Sequence, residues 1–434
     1  MEKVLLINPL VTDKEKFSNT AKVTPHHLPP QGLCFLAAVL REKGYAVKII
    51  DAEATGEGDA IILNMVRAEN PDYIGISATI LSIFRAAEYV KMFRENFPDK
   101  KIILGGPQIT ASPEETMKIV PGIDAGILGE GEITILELLN AFKNKGDLNS
   151  VKGLILKEGD VLKRTAPREF IQNLDDLPLP AWDLLPSLTQ YYSTSAITYK
   201  RTPAINLVTS RGCPNQCIFC DRSVFGRKWR AFSPNRIIEM VKVLVNKYGI
   251  KDIYFDDDHF LVSKERVKEF CRLLKEEKID LTWSAVGRID SVDEELISII
   301  KSVGCHQLEF GLESGSQKIL DILKKNVKVE NVERNLKMVK AAGLSIKGLF
   351  MVGSPGETEE TLKETEDFIK RVGITRLSVA SFTPLPGSEV YSKAKEYGLF
   401  DDDWRKMNLR NTLFVPWGVT KEMLSKYIGI YERK

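Results

Sequence analysis

The chain has 434 residues, which is too long for one ordinary hydrophobic core and predicts two domains with a short appendage. Hydrophobic residues make up 43% and charged residues 28%, a balance typical of a folded globular protein. The 61 Lys and Arg residues nearly cancel the 59 Asp and Glu residues, so we expect no nucleic acid partner. No signal peptide and no membrane-spanning apolar run is recognisable, which predicts a cytoplasmic protein without a transmembrane segment.

Strand-like and helix-like patterns alternate through residues 1–145. The predicted strands are 4–7, 47–50, 73–77, 101–104 and 126–128. Amphipathic or apolar helix patterns lie between them, notably at 32–43, 82–96 and 113–119. This alternation predicts an α/β domain with a doubly wound, Rossmann-like parallel sheet.

The pattern weakens over residues 146–195, where a proline-rich stretch predicts a linker. The alternation resumes over residues 196–385. The predicted strands there are 206–210, 252–255, 282–286, 307–310, 348–352 and 376–380. Six βα units predict an open (β/α)6 barrel, a partial TIM barrel. The C-terminal extension, 386–434, is expected to cap this barrel.

Three of the six cysteines, Cys213, Cys217 and Cys220, follow the first predicted barrel strand directly. Active sites in barrels of this kind are built by loops at the carboxyl ends of strands. Three thiolates can hold three irons of a 4Fe-4S cluster and leave the fourth iron free to bind another ligand. The alternative is a zinc site completed by His259 or His306, although paired zinc-binding cysteines usually stand two residues apart.

The spacing Cys-x3-Cys-x2-Cys, with Phe219 just before the last cysteine, resembles the signature of the radical S-adenosylmethionine (SAM) superfamily. The resemblance implies that the three cysteines are the catalytic and metal-binding residues. It implies further that SAM chelates the fourth iron and is cleaved to methionine and a 5′-deoxyadenosyl radical. Phe219 would then stack on the adenine, although burial against the barrel explains it equally well.

Four later segments, each at a predicted strand end, resemble the SAM-binding positions of that family. The residues concerned are Asp256 and Asp257 for the amino group, Ser284 and Arg288 for the carboxylate, Glu313 and Ser314 for the ribose, and Gly353 for the adenine. Each also has a local structural explanation, such as an acidic turn, a surface ion pair or a helix N-cap by Ser314. Their order along the chain favours the family resemblance.

Glycine and polar residues follow the predicted strands of residues 1–145, where a doubly wound sheet has its ligand crevice. They resemble the cobalamin-binding domain that is joined to radical SAM barrels, so the chain is identified as a member of the B12-binding-domain radical SAM family. The resemblance implies cobalamin contacts at Asn8, Pro9, Gln31, Gly32, Leu33, Ser77, Thr79, Gly105, Gly106, Pro107, Gly129, Glu130 and Gly131.

The Asp-x-His-x-x-Gly motif that supplies a histidine to cobalt in other cobalamin proteins is absent. His26 and His27 precede the first predicted helix, and His259 lies in the predicted barrel. We therefore expect cobalamin to bind without that histidine. The alternative is a domain that kept its glycines for tight turns after losing the corrinoid.

Together the two resemblances imply a C-methyltransferase, in which the adenosyl radical abstracts hydrogen from an unactivated carbon and methylcobalamin donates the methyl group. The alternatives are a cobalamin-binding radical SAM cyclase or rearrangement enzyme, and a non-catalytic cobalamin- or metal-binding sensor. The expected partners are a small-molecule, lipid or peptide substrate and a reducing protein such as flavodoxin or ferredoxin. The sequence does not identify the substrate, because specificity depends on loop geometry.

Overall fold

The structure, a computed structural model, describes residues 1–12, 15–16, 27–408 and 410–432. These residues form two compact units. The first unit comprises the described residues up to 16 together with 27–192 and 221–226, and the second comprises 193–220 and the described residues from 227 onward. No helix in these ranges is long and apolar enough to cross a membrane. His26 lies outside the described residues.

Seven strands form the sheet of the first unit: β1 (Lys3–Asn8), β2 (Ala46–Asp51), β3 (Tyr73–Ser77), β4 (Lys101–Gly105), β5 (Ala125–Ile127), β6 (Leu154–Glu158) and β7 (Val161–Arg164). The strand order is β2–β1–β3–β4–β5–β6–β7. The first five strands are parallel, and β6 and β7 are antiparallel. The apolar runs of β1 and β3 are buried because helices cover both faces of such a sheet.

The helices described in the first unit are α1 (Gln31–Glu42), α2 (Ala52–Thr55), α3 (Asp59–Glu69), α4 (Ile83–Asn96), α5 (Pro107–Ala111), α6 (Pro113–Ile119), α7 (Gly131–Asn144) and α8 (Leu188–Tyr191). The predicted doubly wound sheet is confirmed. Strands β6 and β7 lie within residues 146–195, which the sequence predicted as a linker. Strand β7 gave no clear pattern because it is a short edge strand with mostly exposed residues, whereas β6 begins with a buried apolar run that the linker prediction passed over.

The strands of the second unit are β8 (Ala204–Leu207), β9 (Ser210–Arg211), β10 (Arg230–Ala231), β11 (Asp252–Phe255), β12 (Thr282–Gly287), β13 (Cys305–Glu313), β14 (Ser345–Val352), β15 (Arg376–Ser381), β16 (Gly398–Phe400) and β17 (Phe414–Pro416). Six of them form a parallel sheet in the order β8–β11–β12–β13–β14–β15. This confirms the predicted partial barrel. The predicted strand 206–210 is in fact two strands, β8 and β9, and β9 pairs with β10.

The helices described in the second unit are α9 (Pro234–Tyr248), α10 (Lys264–Glu276), α11 (Glu294–Ser302), α12 (Gln317–Ile322), α13 (Val329–Ala341), α14 (Glu359–Val372), α15 (Ala394–Tyr397) and α16 (Lys421–Glu432). Helices α9, α10, α11 and α14 each begin at a Ser, Asp or Thr whose side chain accepts a backbone N–H of the first turn. These caps fix the residue at which each loop ends and its helix begins.

An aromatic core joins β11 and β12 to α10. Phe255, Phe260, Phe270 and Trp283 are fully buried, and their ring centroids lie 4.6 to 6.3 Å apart. Mostly edge-to-face packing of this kind stabilises the core beyond the burial of apolar area. It therefore fixes the carboxyl ends of β11 and β12, where several predicted site residues lie.

Candidate functional site

The three cysteines lie in the loop between β9 and β10. At the base of this loop Arg211 pairs with Arg230. Gly212 has a φ of +83°, a conformation that favours glycine, and turns the chain towards Cys213. The Cys213 Sγ accepts a hydrogen bond of 3.2 Å from the Asn215 side chain.

Ile218 anchors the middle of the cysteine loop. Its N–H donates to the Leu323 carbonyl at 3.2 Å, and its carbonyl accepts from the Val390 N–H at 3.1 Å. The Ile218 side chain packs in a buried apolar cluster that includes Phe382 and Phe414. Because Val390 and Phe414 belong to residues 386–434, this extension supports the loop between Cys217 and Cys220.

Asp257 holds the residues that precede the loop. It accepts hydrogen bonds from the Thr209 N–H (2.5 Å), the Thr209 hydroxyl (2.8 Å) and the Ser210 hydroxyl (2.6 Å). Arg266 donates to the Thr209 carbonyl at 2.9 Å and to its hydroxyl at 2.6 Å. Asp257 thus positions the loop, and its predicted contact with SAM stays a prediction.

Cys217 is buried in a setting that favours the thiolate. A hydrogen bond from the Cys220 thiol contributes most, and the charges of Lys325 and Arg288 add to it, so that together they outweigh burial and lower the pKa of Cys217 to about 6. Metals bind cysteine as the thiolate. This setting is compatible with cluster binding by Cys217, which stays a prediction.

Lys325 lies beside this thiolate and forms a buried ion pair. Burial alone would lower the pKa of Lys325, but the carboxylate of Glu313 and the Cys217 thiolate raise it. Lys325 Nζ also lies 5.9 Å from the centre of the Phe219 ring, within the range of a cation–π contact. Glu313 has a φ of +63°, an uncommon conformation for a residue other than glycine, and such strain concentrates at functional sites.

Arg288 is the second cation near Cys217. Its Nε and Nη2 donate to the Asp290 carboxylate at 3.0 and 2.8 Å, and Nη2 also donates to the Lys325 carbonyl at 2.7 Å. Its Nη1 is buried and has no hydrogen-bond partner among the described residues. A carboxylate would satisfy this donor, as the predicted SAM contact requires.

The described residues do not assemble the alternative zinc site with His259 or His306 as its fourth ligand. His306 Nε2 lies 3.2 Å from the Asp252 carboxylate, and His259 Nε2 lies 3.0 Å from the Ser291 hydroxyl. Within the described part of the chain, no three His, Cys, Asp or Glu side chains converge as single-ion ligands. Three cysteines with nearby cations match the charge of a thiolate-bound cluster.

Asp256 follows β11. Its carboxylate accepts a 3.2 Å hydrogen bond from Asn206, and the charges that act on it are the carboxylates of Glu309, Asp257 and Asp258. Burial raises the pKa of Asp256 to about 7, and the nearby Glu309 charge adds to this shift. Glu309 itself is paired with Lys347 at 2.8 Å. An ammonium group would compensate Asp256, in agreement with the predicted contact to the SAM amino group.

Three predicted SAM residues already have protein partners. The Ser284 hydroxyl donates to the Thr198 carbonyl at 3.2 Å. The Ser314 hydroxyl lies 2.9 Å from that of Thr365, and the Gly353 N–H donates to Glu357. These contacts position the strand ends, and the SAM contacts of the three residues stay predictions.

The predicted cobalamin residues follow β1, β3, β4 and β5 or begin the next helix, so they share the carboxyl edge of the first sheet. Pro9, Gln31 and Leu33 are buried, Ser77 ends β3, Pro107 begins α5 and Gly131 begins α7. Several of the other residues form internal bonds. Asn8 donates to Asp51 (2.8 Å), the Thr79 N–H to Ser82 (2.9 Å), the Gly129 N–H to Thr110 (3.0 Å), and Glu130 accepts from Ile171 (2.8 Å).

Space for a flat ligand exists at this edge. A side-chain carbon placed on Gly32 or Gly105 would meet no atom within 4 Å. Gly106 has a φ of +101° and approaches the Ala78 backbone too closely for any side chain. The buried Nε2 of Gln108 has no partner among the residues described. An accessible glycine backbone and a free amide donor fit a broad, amide-rich cofactor such as cobalamin.

Family comparisons agree with this geometry. The model of the B12 binding domain matches residues 20–139, and that of the radical SAM superfamily matches residues 207–369. An uncharacterised methyltransferase of Pyrococcus horikoshii is 35% identical over 412 residues, which are 93% of this chain and 88% of that protein. The chain belongs to the B12-binding-domain radical SAM family.

Other family members differ in their reactions. The anaerobic magnesium-protoporphyrin IX monomethyl ester cyclase of Rubrivivax gelatinosus is 27% identical over 93% of this chain and 73% of its own length. The solved structure of OxsB, a cobalamin-dependent SAM radical enzyme, superimposes with a TM-score of 0.81 at 21% identity. The superposition covers 99% of this chain and 66% of OxsB. At this low sequence identity it shows a common fold and nothing about the reaction.

Sequence patterns missed Lys325, a buried lysine whose charge acts on Cys217. Lys325 follows another lysine in a polar turn, and such a pair is typical of a solvated surface. Lys324 and Asn326 on either side of it have positive φ angles, 53° and 54°. Only the folded chain shows that this turn directs Lys325 towards Glu313.

Proposed function

We propose that the protein is a cobalamin-dependent radical SAM C-methyltransferase. The observation that carries the proposal is the buried Cys217 in the loop after β9, with the buried Lys325–Glu313 ion pair and the unpartnered Nη1 of Arg288 beside it. A three-cysteine loop with this charge pattern suits a cluster that keeps one iron for SAM. The 35% identical methyltransferase from Pyrococcus horikoshii supports methyl transfer as the outcome.

In this proposal each side chain has one task. Cys213, Cys217 and Cys220 hold the 4Fe-4S cluster, which when reduced supplies the electron that cleaves SAM. Arg288 Nη1 binds the SAM carboxylate and Asp256 binds its amino group. Asp290 holds the Arg288 guanidinium in place, and Glu313 holds the Lys325 ammonium in place. Because both cations are already positioned, binding of SAM requires little rearrangement of these side chains.

The first unit holds cobalamin at the edge that contains Gly32, Gly105 and Gln108. Cobalamin there supplies a methyl group that is transferred to a substrate carbon. The Asp-x-His-x-x-Gly motif is missing, so we propose that no histidine of such a motif binds cobalt. The cob(II)alamin form should then give an electron paramagnetic resonance spectrum without superhyperfine splitting from a histidine nitrogen.

A cyclase or rearrangement enzyme is the second candidate, favoured by the cyclase relative that matches 93% of the chain. Both candidates require a reducing partner such as flavodoxin or ferredoxin. Both also accept a small-molecule substrate. The two differ in whether a SAM-derived methyl group reaches cobalamin.

The test is anaerobic reconstitution with iron, sulfide and hydroxocobalamin, followed by dithionite and SAM with a deuterated methyl group. We expect 5′-deoxyadenosine and deuterated methylcobalamin. Formation of 5′-deoxyadenosine with no labelled methylcobalamin would favour the cyclase. Absence of both products, with cluster and corrinoid bound, would leave the sensor interpretation. The Cys217→Ala variant is the control for cluster-independent SAM breakdown.

A further inference from the structure

Among the buried nitrogen atoms that lack a partner in the described part of the chain, two belong to the loops that follow β11 and β12. They are Nη1 of Arg288 and Nδ1 of His259, and the two residues are only 8% and 3% exposed. A buried polar group without a hydrogen bond costs about 1–3 kcal/mol. Proteins retain such groups mainly where a ligand or an ordered water completes them.

The two side chains are held by one turn at the end of β12. Arg288 begins this turn and Ser291 ends it, since the Ser291 N–H donates to the Arg288 carbonyl at 3.1 Å. His259 Nε2 lies 3.0 Å from the Ser291 hydroxyl. A backbone bond of 3.0 Å from Phe260 to Val286 holds the segment after β11 against β12. His259 and Arg288 therefore belong to one rigid corner of the second unit.

The environment keeps the imidazole neutral. Burial, followed by the charge of Arg288, lowers the pKa of His259 to about 4. A neutral imidazole carries one N–H. When the Ser291 hydroxyl donates to Nε2, that N–H is on Nδ1, and both unpartnered nitrogens are donors.

Two buried donors in one corner, one of them a cation whose charge acts on the other, suit a shared anionic acceptor. A carboxylate accepts from both at once, because each of its oxygens has two acceptor positions. The other nitrogens of Arg288 are engaged by Asp290 and by the Lys325 carbonyl, so Nη1 is its remaining donor. The corner lies beside Cys217, whose charge acts on Arg288.

We propose that His259 binds the SAM carboxylate through Nδ1, side by side with Nη1 of Arg288. This inference rests on the proposed function, which supplies SAM as the ligand. It goes beyond that function because it assigns His259 a direct part in orienting SAM. The rival explanation is structural, with His259 serving only to tie its loop to Ser291 through Nε2.

Two substitutions separate these explanations. The amide of His259→Asn reaches the position of Nδ1 but not that of Nε2, whereas the amide of His259→Gln reaches the position of Nε2. If Nδ1 binds SAM, we expect the Asn variant to keep its affinity for SAM within about threefold and the Gln variant to lose about tenfold, the value of one lost hydrogen bond. The thermal unfolding temperature should show the opposite order.

The affinity of the cluster-loaded, full-length protein for SAM is measured anaerobically by titration calorimetry, and the reduced cluster is followed by electron paramagnetic resonance. SAM should shift the cluster spectrum of wild type and Asn variant at lower concentrations than that of the Gln variant. His27→Asn is the matched control, because His27 also has a buried, unpartnered Nδ1 but lies in the first unit. It should leave the affinity for SAM unchanged.

Equal affinity of wild type and Gln variant would overturn the inference, as would an Asn variant that binds SAM as weakly as the Gln variant. Failure of the proposed function looks different. In that case the wild-type protein itself neither binds SAM at its cluster nor forms 5′-deoxyadenosine.

Discussion

Lys325 Nζ lies 2.7 Å from Oε1 of Glu313, and each side chain is only 9% exposed. The pair joins the residue at which β13 ends to the turn after α12, next to Cys217. Removing two charges from water is costly, so such a pair is seldom kept for stability alone. The position of the Lys325–Glu313 pair gives it another role, because the pair holds a cation beside the cysteine loop.

Replacing Lys325 with Met should destabilise the protein by about 3–5 kcal/mol, since Glu313 is left as an unpaired buried charge. The double variant Lys325→Met/Glu313→Gln should be less destabilised than this single variant. The measurement is the free energy of unfolding of the second unit's transition in denaturant. A double variant that loses the sum of both single effects would show that the two side chains are not coupled.

Cluster binding should depend on Cys217 and not on the other buried cysteines. Cys217→Ala should abolish cluster retention, whereas Cys271→Ala should keep the iron content of the wild type, about four irons per chain. Cys271 is the matched control because burial raises its pKa to about 12, which makes it a small apolar side chain and not a ligand. Iron and sulfide analysis after anaerobic reconstitution decides the matter, and the reverse pattern would mean that other thiolates hold the iron.

The fold was largely predictable because buried strands carry continuous apolar runs. The predicted strands 73–77 and 252–255 coincide with β3 and β11. Strand β7 escaped notice because it lies at the edge of its sheet, where polar side chains are tolerated.

The site was less predictable, because burial of a charged group is a tertiary property. The acidic run after β11 illustrates this. Asp256 and Asp257 are neighbours with the same chemistry, yet Asp257 accepts three bonds from Thr209 and Ser210 while Asp256 has only Asn206. No sequence pattern shows which of the two carboxylates is bonded within the protein and which has few partners.

Filling the first unit's glycine edge should weaken corrinoid binding in proportion to side-chain size. Gly105 has room for a side chain in the described structure, so Gly105→Ala and Gly105→Leu should both fold with an unchanged unfolding temperature. The Leu variant should bind hydroxocobalamin about tenfold more weakly or worse, because overpacking a contact costs about 1–3 kcal/mol. The Ala variant serves as the control and should lose much less. Equal binding by all three proteins, measured from the corrinoid absorbance, would place the ligand elsewhere.

Because of Asp256, the free energy of unfolding of the protein should fall as the pH rises. Its pKa is about 7 in the folded chain against an ordinary value of 3.8, mainly because of burial. Between pH 3.8 and about pH 7, Asp256 is deprotonated in the unfolded chain but still protonated in the folded chain. Each increase in pH within this range therefore lowers the free energy of unfolding, by at most about 4 kcal/mol in total.

Asp256→Asn removes this titration. The variant should therefore match the wild type near pH 4 and exceed its unfolding temperature at pH 8, in protein free of SAM. Adding SAM should reduce the difference at pH 8, because an ammonium group beside Asp256 stabilises the carboxylate of the wild type alone. A difference between the two proteins that does not vary with pH would show that the carboxylate is solvated and does not form the proposed contact.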